Sequence, residues 1–199
     1  MFQVTLGKVT TTLNNLKDRE YQPRELTQKI RKQFPATDFL FYTKKSNKID
    51  PNQVIVSGCY DADSDNEQDP CIEINLNYAP NLTVDTGKLD RVQLAFDIAE
   101  CVHHELVHRD QNRHPRQKSK ISKKLLETSN EHAYLGDADE IEAYGFSIAA
   151  EMHIFKISMH QCSMYTIYNS LFEGSAVMPN LEKHIKKYFK ILELEDETK

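Results

Sequence analysis

The sequence contains no long uninterrupted run of apolar residues. Of its 199 residues, 39% are apolar and 28% are charged, and the two classes are interspersed along the chain. A membrane-spanning helix needs about 20 consecutive, mostly apolar residues, so none is predicted. The start of the chain also lacks the positively charged and apolar segments of a secretion signal. We therefore expect a cytoplasmic protein that has no membrane partner.

Cysteine pairs are missing as well. The four cysteines show no C-x-x-C spacing; they are Cys59, Cys71, Cys101 and Cys162. This spacing indicates neither a disulfide framework nor a zinc ribbon, and we expect reduced, mostly buried thiols.

Positive charge is not in excess. The formal net charge of −5 argues against general binding to nucleic acids or acidic membranes. Residues 109–124 carry seven Lys or Arg, but no aromatic residues are interleaved for base stacking. We interpret the polar stretch at about 112–129 as a solvated loop rather than a nucleic-acid site. The acidic run 61–69 lacks the central Gly and terminal Glu of an EF-hand, which indicates a hairpin loop.

Length and hydrophobic periodicity predict one α+β domain. The strand at 71–78 is the clearest, because its apolar residues alternate with polar ones. The full set of expectations comprises strands at 2–6, 39–43, 53–59 and 71–78, helices at 23–34, 89–110 and 137–172, a break at 174–179, a last helix through 181–192, and a frayed tail from 193.

The predicted helix at 89–110 carries the pattern His104-Glu105-x-x-His108. Two imidazoles four residues apart share one face of a helix and are close enough to hold one ion, most plausibly Zn²⁺. A carboxylate directly after the first histidine is placed to take a proton from a metal-bound water. His103 points about 100° away on such a helix, and we interpret it as a supporting or packing residue.

A third protein ligand is expected because catalytic zinc commonly has three and keeps one position for water. The best local cluster of carboxylates downstream of His108 surrounds the start of the next predicted helix: Asp137, Asp139, Glu140 and Glu142. A Glu on that helix facing the two histidines would complete the set, and we prefer Glu140. Its spacing from Asp137 also fits a helix cap without any metal. Two further alternatives stay open: a structural zinc site that includes Cys101, and packing histidines.

The two motifs together resemble a known family. The segment His104 to Gln111, followed by the segment Tyr134 to Tyr144, is similar to the gluzincin arrangement, in which a Glu early in a later helix supplies the third ligand. It also resembles small metallopeptidases of bacteriophages and other viruses, in which case the compartment would be the host cytoplasm. The resemblance covers roughly residues 70–150.

The resemblance implies a minimal zincin-like core: a small, mostly antiparallel sheet beside the HExxH helix and a helical C-terminal half. It implies that the strand at 71–78 lies beside that helix. Related gluzincins often carry Asp or Asn four residues after the ligand Glu, to support a ligand histidine. Here that position is Tyr144, which keeps Glu142 open as an alternative ligand.

Together these patterns predict a zinc-dependent peptidase. Glu105 would be the general base, and the strand Ile72 to Tyr78 a candidate edge for an extended peptide substrate. Four side chains are candidate oxyanion stabilisers: His132, Tyr134, Tyr144 and His153. The alternative function is a non-catalytic, zinc-stabilised binding or accessory protein that keeps the zincin fold.

Overall fold

The computed structural model describes residues 1–50, 53–67, 69–80, 83–114 and 131–197. By packing, the chain divides into two compact units, Met1–Arg109 and Asp110–Lys199. The architecture is α+β with a helical C-terminal half, as the sequence predicts. Most of the predicted basic loop lies outside the described residues. No helix among the described residues is long and apolar enough to cross a membrane.

The first unit contains helices and short strands in alternation. In chain order these are α1 (Phe2–Asn14), β1 (Glu20–Tyr21), α2 (Pro23–Arg31), β2 (Phe39–Lys45), β3 (Val54–Tyr60), α3 (Ala62–Asn66), β4 (Ile72–Tyr78), β5 (Val84–Asp85) and α4 (Arg91–Arg113), whose last four residues belong to the second unit.

The expectation of a strand at 2–6 is wrong, because these residues begin α1. Phe2, Val9 and Leu13 are buried at helical spacing, and Leu6 packs against the core from the same face. The alternation of apolar residues over five positions is also compatible with that helical stripe. The β-branched residues of the segment favour a strand. Burial of the longer helical stripe outweighs that preference, so the segment is a helix.

The three predicted strands β2, β3 and β4 form one sheet in the order β2–β4–β3. β4 pairs with β2 in parallel and with β3 antiparallel, and β1 pairs antiparallel with β5. Two of these three strand pairings are antiparallel, in line with the expectation of mostly antiparallel pairing. β4, however, is the central strand, so the prediction that Ile72 to Tyr78 is a free edge is wrong.

The loop between β3 and β4 is a hairpin connection, as predicted, but it contains the short helix α3. Asp61 caps this helix by accepting hydrogen bonds from the backbone N–H groups of Asp63 and Ser64. Its acidic residues are therefore used locally in capping, in agreement with the interpretation that the run is not an EF-hand.

Helix α4 contains the predicted motif helix and extends to Arg113. Its core side includes Phe96, Ala99 and Val102, which are buried. Val92 was expected on the same apolar stripe but is 61% exposed. The motif therefore lies on a helix that is anchored in the core of the first unit.

The second unit is helical among its described residues. It contains the end of α4, then α5 (Glu131–Leu135), α6 (Ala138–Phe155), a 3-10 turn (Met159–Gln161), α7 (Ser163–Phe172) and α8 (Val177–Glu197).

The predicted continuous helix from 137 to 172 is wrong, because it is broken after Phe155. Lys156 ends α6 in the left-handed conformation, with φ of 55°. This conformation commonly ends helices but is usually taken by Gly, so the sequence contains no warning. The residues from 193, expected to fray, are helical through Glu197.

Helices α6 and α8 pack closely at Gly145. A Cβ atom added to Gly145 would lie 2.6 Å from the Cβ atom of His184 on α8. Real side chains do not approach so closely, so only glycine permits this crossing. The close approach brings polar side chains of α8 next to the first turns of α6.

Candidate metal centre

Helix α4 brings the two histidines of the motif together on one face. His104 and His108 lie one turn apart on the same side of the helix. Their rings stand edge to face with centroids 5.0 Å apart, and their Nε2 atoms are 3.3 Å apart. His104 is 8% exposed, whereas His108 is half-buried. Two ring nitrogens therefore face a common position at the edge of the helix.

Glu140 completes a group of three side chains that could hold a metal ion. One ligand atom each from His104, His108 and Glu140 lies within 4.8 Å of the other two. On its own helix, Glu140 is in the first turn of α6. The start of α6 is capped by Asp137, whose carboxylate accepts a hydrogen bond of 2.8 Å from the backbone N–H of Asp139.

Tyrosines surround Glu140 within the second unit. Burial raises the pKa of Tyr134 well above its ordinary value, and the charge of Glu140 and the Tyr144 phenol raise it further. Tyr134 also hydrogen-bonds to both of these neighbours. The ring of Tyr144 packs against Tyr168, with centroids 5.8 Å apart. These contacts keep the Tyr134 phenol protonated, so it is available as a hydrogen-bond donor beside Glu140.

Glu142, the alternative ligand, is held by other partners. Its carboxylate accepts hydrogen bonds from Lys187 Nζ at 2.6 Å, Tyr188 Oη at 3.0 Å and Gln111 Nε2 at 3.3 Å. Burial raises the pKa of Glu142, but these hydrogen bonds and the charge of Lys187 outweigh burial and lower it to about 2. Glu142 thus connects α6 to α8, and it is not part of the three-residue group.

Glu105 is buried in the first unit, where it contacts strand β3. The side chain is 7% exposed. A Cβ atom added to Gly58 would lie 2.7 Å from Glu105 Oε1 and 2.8 Å from Cys101 Sγ. Gly58 therefore creates the space that the Glu105 carboxylate occupies. Sequence reasoning missed this residue, although a glycine inside a strand is a known sign of a close approach.

Cys101 does not join the two histidines in the structure. Its side chain is buried against Gly58, and it is absent from the three-residue group. Burial raises the pKa of the Cys101 thiol well above its ordinary value, and the nearby charges of Glu100 and Glu105 add to this. Because the thiolate is the metal-binding form, these surroundings disfavour the structural zinc site considered above.

The four candidate oxyanion stabilisers separate in the structure. His153 lies about 20 Å along α6 from Glu140, at 1.5 Å per residue, and its Nε2 is 2.9 Å from Asp196 Oδ2. His132 packs on the ring of Phe172, with centroids 4.4 Å apart. Tyr134 hydrogen-bonds to both Glu140 and Tyr144, so these two candidates lie together within the second unit.

His103 has the packing role that its position on the helix predicts. It is buried, its ring stands edge to face against Phe2 at 5.5 Å, and its Nε2 is 3.1 Å from Thr5 Oγ1. Its side chain therefore ties α4 to α1.

Comparison with models of known protein families, with curated proteins and with solved structures finds no match for this chain. The resemblance to gluzincins therefore stays a prediction from the two motifs.

Proposed function

We propose that this protein is a zinc-dependent peptidase of the gluzincin type, in which His104, His108 and Glu140 hold the ion. The 3.3 Å separation of the two histidine Nε2 atoms carries this proposal. Nitrogens that each lie 2.0–2.1 Å from one tetrahedral zinc ion are about 3.3 Å apart. Two imidazoles and a carboxylate are also a donor set that suits catalytic zinc.

A zinc ion held by these residues would supply a nucleophile at neutral pH, because zinc lowers the pKa of water toward about 7. Glu105 is the general base in this proposal. It follows the ligand His104 directly on α4, and Gly58 leaves room for its carboxylate. Glu105 accepts a proton from the attacking water and then delivers it to the leaving amine. Tyr134 lies beside Glu140 and, by turning its single O–H away from that carboxylate, would donate a hydrogen bond to the oxygen that becomes negative during attack.

Strand β3 is the proposed docking edge for the peptide substrate. It pairs with β4 on one side, and no described strand pairs with its other side. Its residue Gly58 contacts Glu105, so this edge lies next to the proposed general base. An extended peptide can add to such an edge through backbone hydrogen bonds. A cytoplasmic peptide or protein substrate, with no membrane partner, is consistent with this arrangement.

The test compares Glu105→Gln with the parent chain in the hydrolysis of an unstructured protein. We expect zinc content to stay unchanged and the rate of cleavage to fall by a factor of about 100 or more, because a general base contributes about that much. Asp110→Asn is the matched control, since it removes an exposed carboxylate from the same helix. Equal turnover by Glu105→Gln and the parent would refute the role of Glu105. Zinc binding without any hydrolysis by the parent would favour the non-catalytic alternative.

A further inference from the structure

The first unit contains a cavity on a different face of α4 from the motif histidines. This cavity has a volume of about 180 Å³. Residues of α1, α4 and the connection between α2 and β2 line it. None of the residues assigned to the metal centre lines it, so it is not part of the proposed peptidase site.

Two cations and one carboxylate line the cavity: Lys8, Arg109 and Asp38. The side chain of Arg109 is only 20% exposed, and its Nη1 is 3.9 Å from Asp38 Oδ2. That distance is too long for a hydrogen bond. A guanidinium has five N–H donors, and Asp38 lies beyond hydrogen-bond distance, so it does not occupy the donors of Arg109. The Arg109 guanidinium is therefore suited to donate hydrogen bonds to the carboxylate of a ligand.

The rest of the lining includes apolar and aromatic side chains. Phe34 and Phe39 stand edge to face with centroids 5.4 Å apart, and Val102 and Leu106 of α4 also line the cavity. These side chains favour an apolar ligand body and offer ring edges and faces for aromatic contact.

A polar contact joins two walls of the cavity. His103 Nε2 lies 3.1 Å from Thr5 Oγ1, and both residues line the cavity. This contact connects α1 to α4, so two walls of the cavity are helices that contact each other. Sites on such elements are held more precisely than sites on loops.

We propose that this cavity binds a small monocarboxylate with an aromatic or branched apolar body. An apolar cavity of about 150 Å³ is large enough for benzene, so this volume admits one ring. The carboxylate pairs with Arg109, and Lys8 adds a second positive charge near it. The ligand is either a free organic acid or the C-terminal residue of a peptide, because both present the same chemistry.

The test is a titration of the full chain with phenylacetate, followed by NMR of the Val102 and Leu106 methyl groups. We expect saturable shifts with a dissociation constant of about 1 mM or below for a ligand of this size. Benzyl alcohol has the same ring without the charge, and we expect its binding to be weaker by about tenfold or more. This comparison needs no substitution and so does not depend on any variant folding.

Two variants complete the test. Arg109→Gln should weaken phenylacetate binding by about tenfold or more, because the charge-assisted pair is lost. Gln33→Trp should abolish the shifts by filling the cavity from its rim. Arg31→Gln is the control, since it removes an exposed guanidinium of α2 outside the cavity. Equal binding of phenylacetate and benzyl alcohol, or no saturable binding of phenylacetate, would overturn the proposal.

The two ligand sources are separated by a further pair of probes. N-acetylphenylalanine presents a chain terminus, and phenylacetate presents a free acid. Tighter binding of the first assigns the cavity to peptide C-termini, whereas tighter binding of the second assigns it to free organic acids. N-acetylphenylalanine amide should bind about tenfold more weakly than its acid in either case, and equal binding of the two contradicts the proposal.

Discussion

At the scale of single residues, Gly58 is the position where one added carbon should matter most. A Cβ atom there would lie 2.7 Å from Glu105 Oε1, so Gly58→Ala must displace the Glu105 carboxylate. We expect the rate of peptide hydrolysis to fall by about 10- to 100-fold, because a misplaced catalytic group loses about that much. Zinc content should not change, since Gly58 contacts neither histidine ligand in the proposal. Steady-state kinetics with metal analysis measures both quantities.

The control for this substitution is Gly7→Ala on α1. A Cβ atom at Gly7 meets nothing within 4 Å, so this variant should be neutral or slightly stabilising. Parental turnover by Gly58→Ala would show that the exact position of Glu105 does not limit catalysis. A pH–rate profile for the variant separates displacement of the base from a general loss of folded protein.

Residue spacing alone suggested His104, Glu105 and His108, because all three lie within little more than one helical turn. Residue spacing does not distinguish Glu140 from Glu142 as the third ligand. Both carboxylates are in the early turns of α6, and their difference comes from Lys187 and Tyr188 on α8, which hold Glu142. Partners more than forty residues away cannot be recognised from local periodicity.

At the scale of secondary-structure elements, a hydroxyl network connects α2 to the sheet. Tyr78 Oη of β4 is 3.1 Å from Thr27 Oγ1 of α2, and Thr43 of β2 donates a hydrogen bond to Thr27. Tyr78 is 1% exposed. Because its hydrogen bond is buried, we expect Tyr78→Phe to lower the free energy of unfolding by about 1 kcal/mol at pH 8. Urea unfolding measures this change.

The buried Tyr78 also predicts that the protein loses stability at alkaline pH. Burial raises the pKa of Tyr78 from 10.0 to about 12, although the hydrogen bond with Thr27 acts in the opposite direction. The contribution of the buried Tyr78 phenol to the free energy of unfolding is fully present below pH 10. It is lost as pH rises toward 12, because Tyr78 ionises first in the unfolded state. Between pH 8 and pH 11 the parent should lose about 1.4 kcal/mol more than Tyr78→Phe. An equal loss in both proteins would contradict a buried, protonated Tyr78.

Local sequence predicts where helices and strands lie, but it does not predict how the strands are ordered in the sheet. Pro23 begins α2, and the alternating apolar residues form β4, as predicted. The strand order was not predicted correctly, since β4 lies between β2 and β3. Alternation identifies which face of a strand is buried, but it contains no information about which neighbours flank the strand.

At the scale of the whole molecule, zinc should stabilise the folded chain. A ligand at about 100 times its dissociation constant adds about 2.7 kcal/mol, which corresponds to a rise in Tm of about 5–10 °C for a chain of this size. We expect this rise when zinc is restored after chelation. His104→Ala and Glu140→Ala should lose both bound zinc and the rise in Tm. Thermal unfolding and metal analysis measure the two effects.

His114→Ala is the control for these variants. His114 is at the end of α4, and its side chain is 73% exposed. Its variant should bind zinc and respond to it as the parent does. A Glu140→Ala variant that keeps stoichiometric zinc and the full rise in Tm would exclude Glu140 as a ligand.

The sequence by itself determined the motif helix and the position of its two histidines and Glu105, because these depend on the 3.6-residue period of one helix. It also determined the cap at Asp137 that begins α6, which is equally local. Only the tertiary structure decided that Glu142 pairs with α8, that β3 rather than β4 is an edge among the described strands, and that Gly58 makes room for Glu105. These features depend on contacts between distant segments. Ordering such segments costs conformational entropy, which burial of the whole apolar core offsets and no local pattern can.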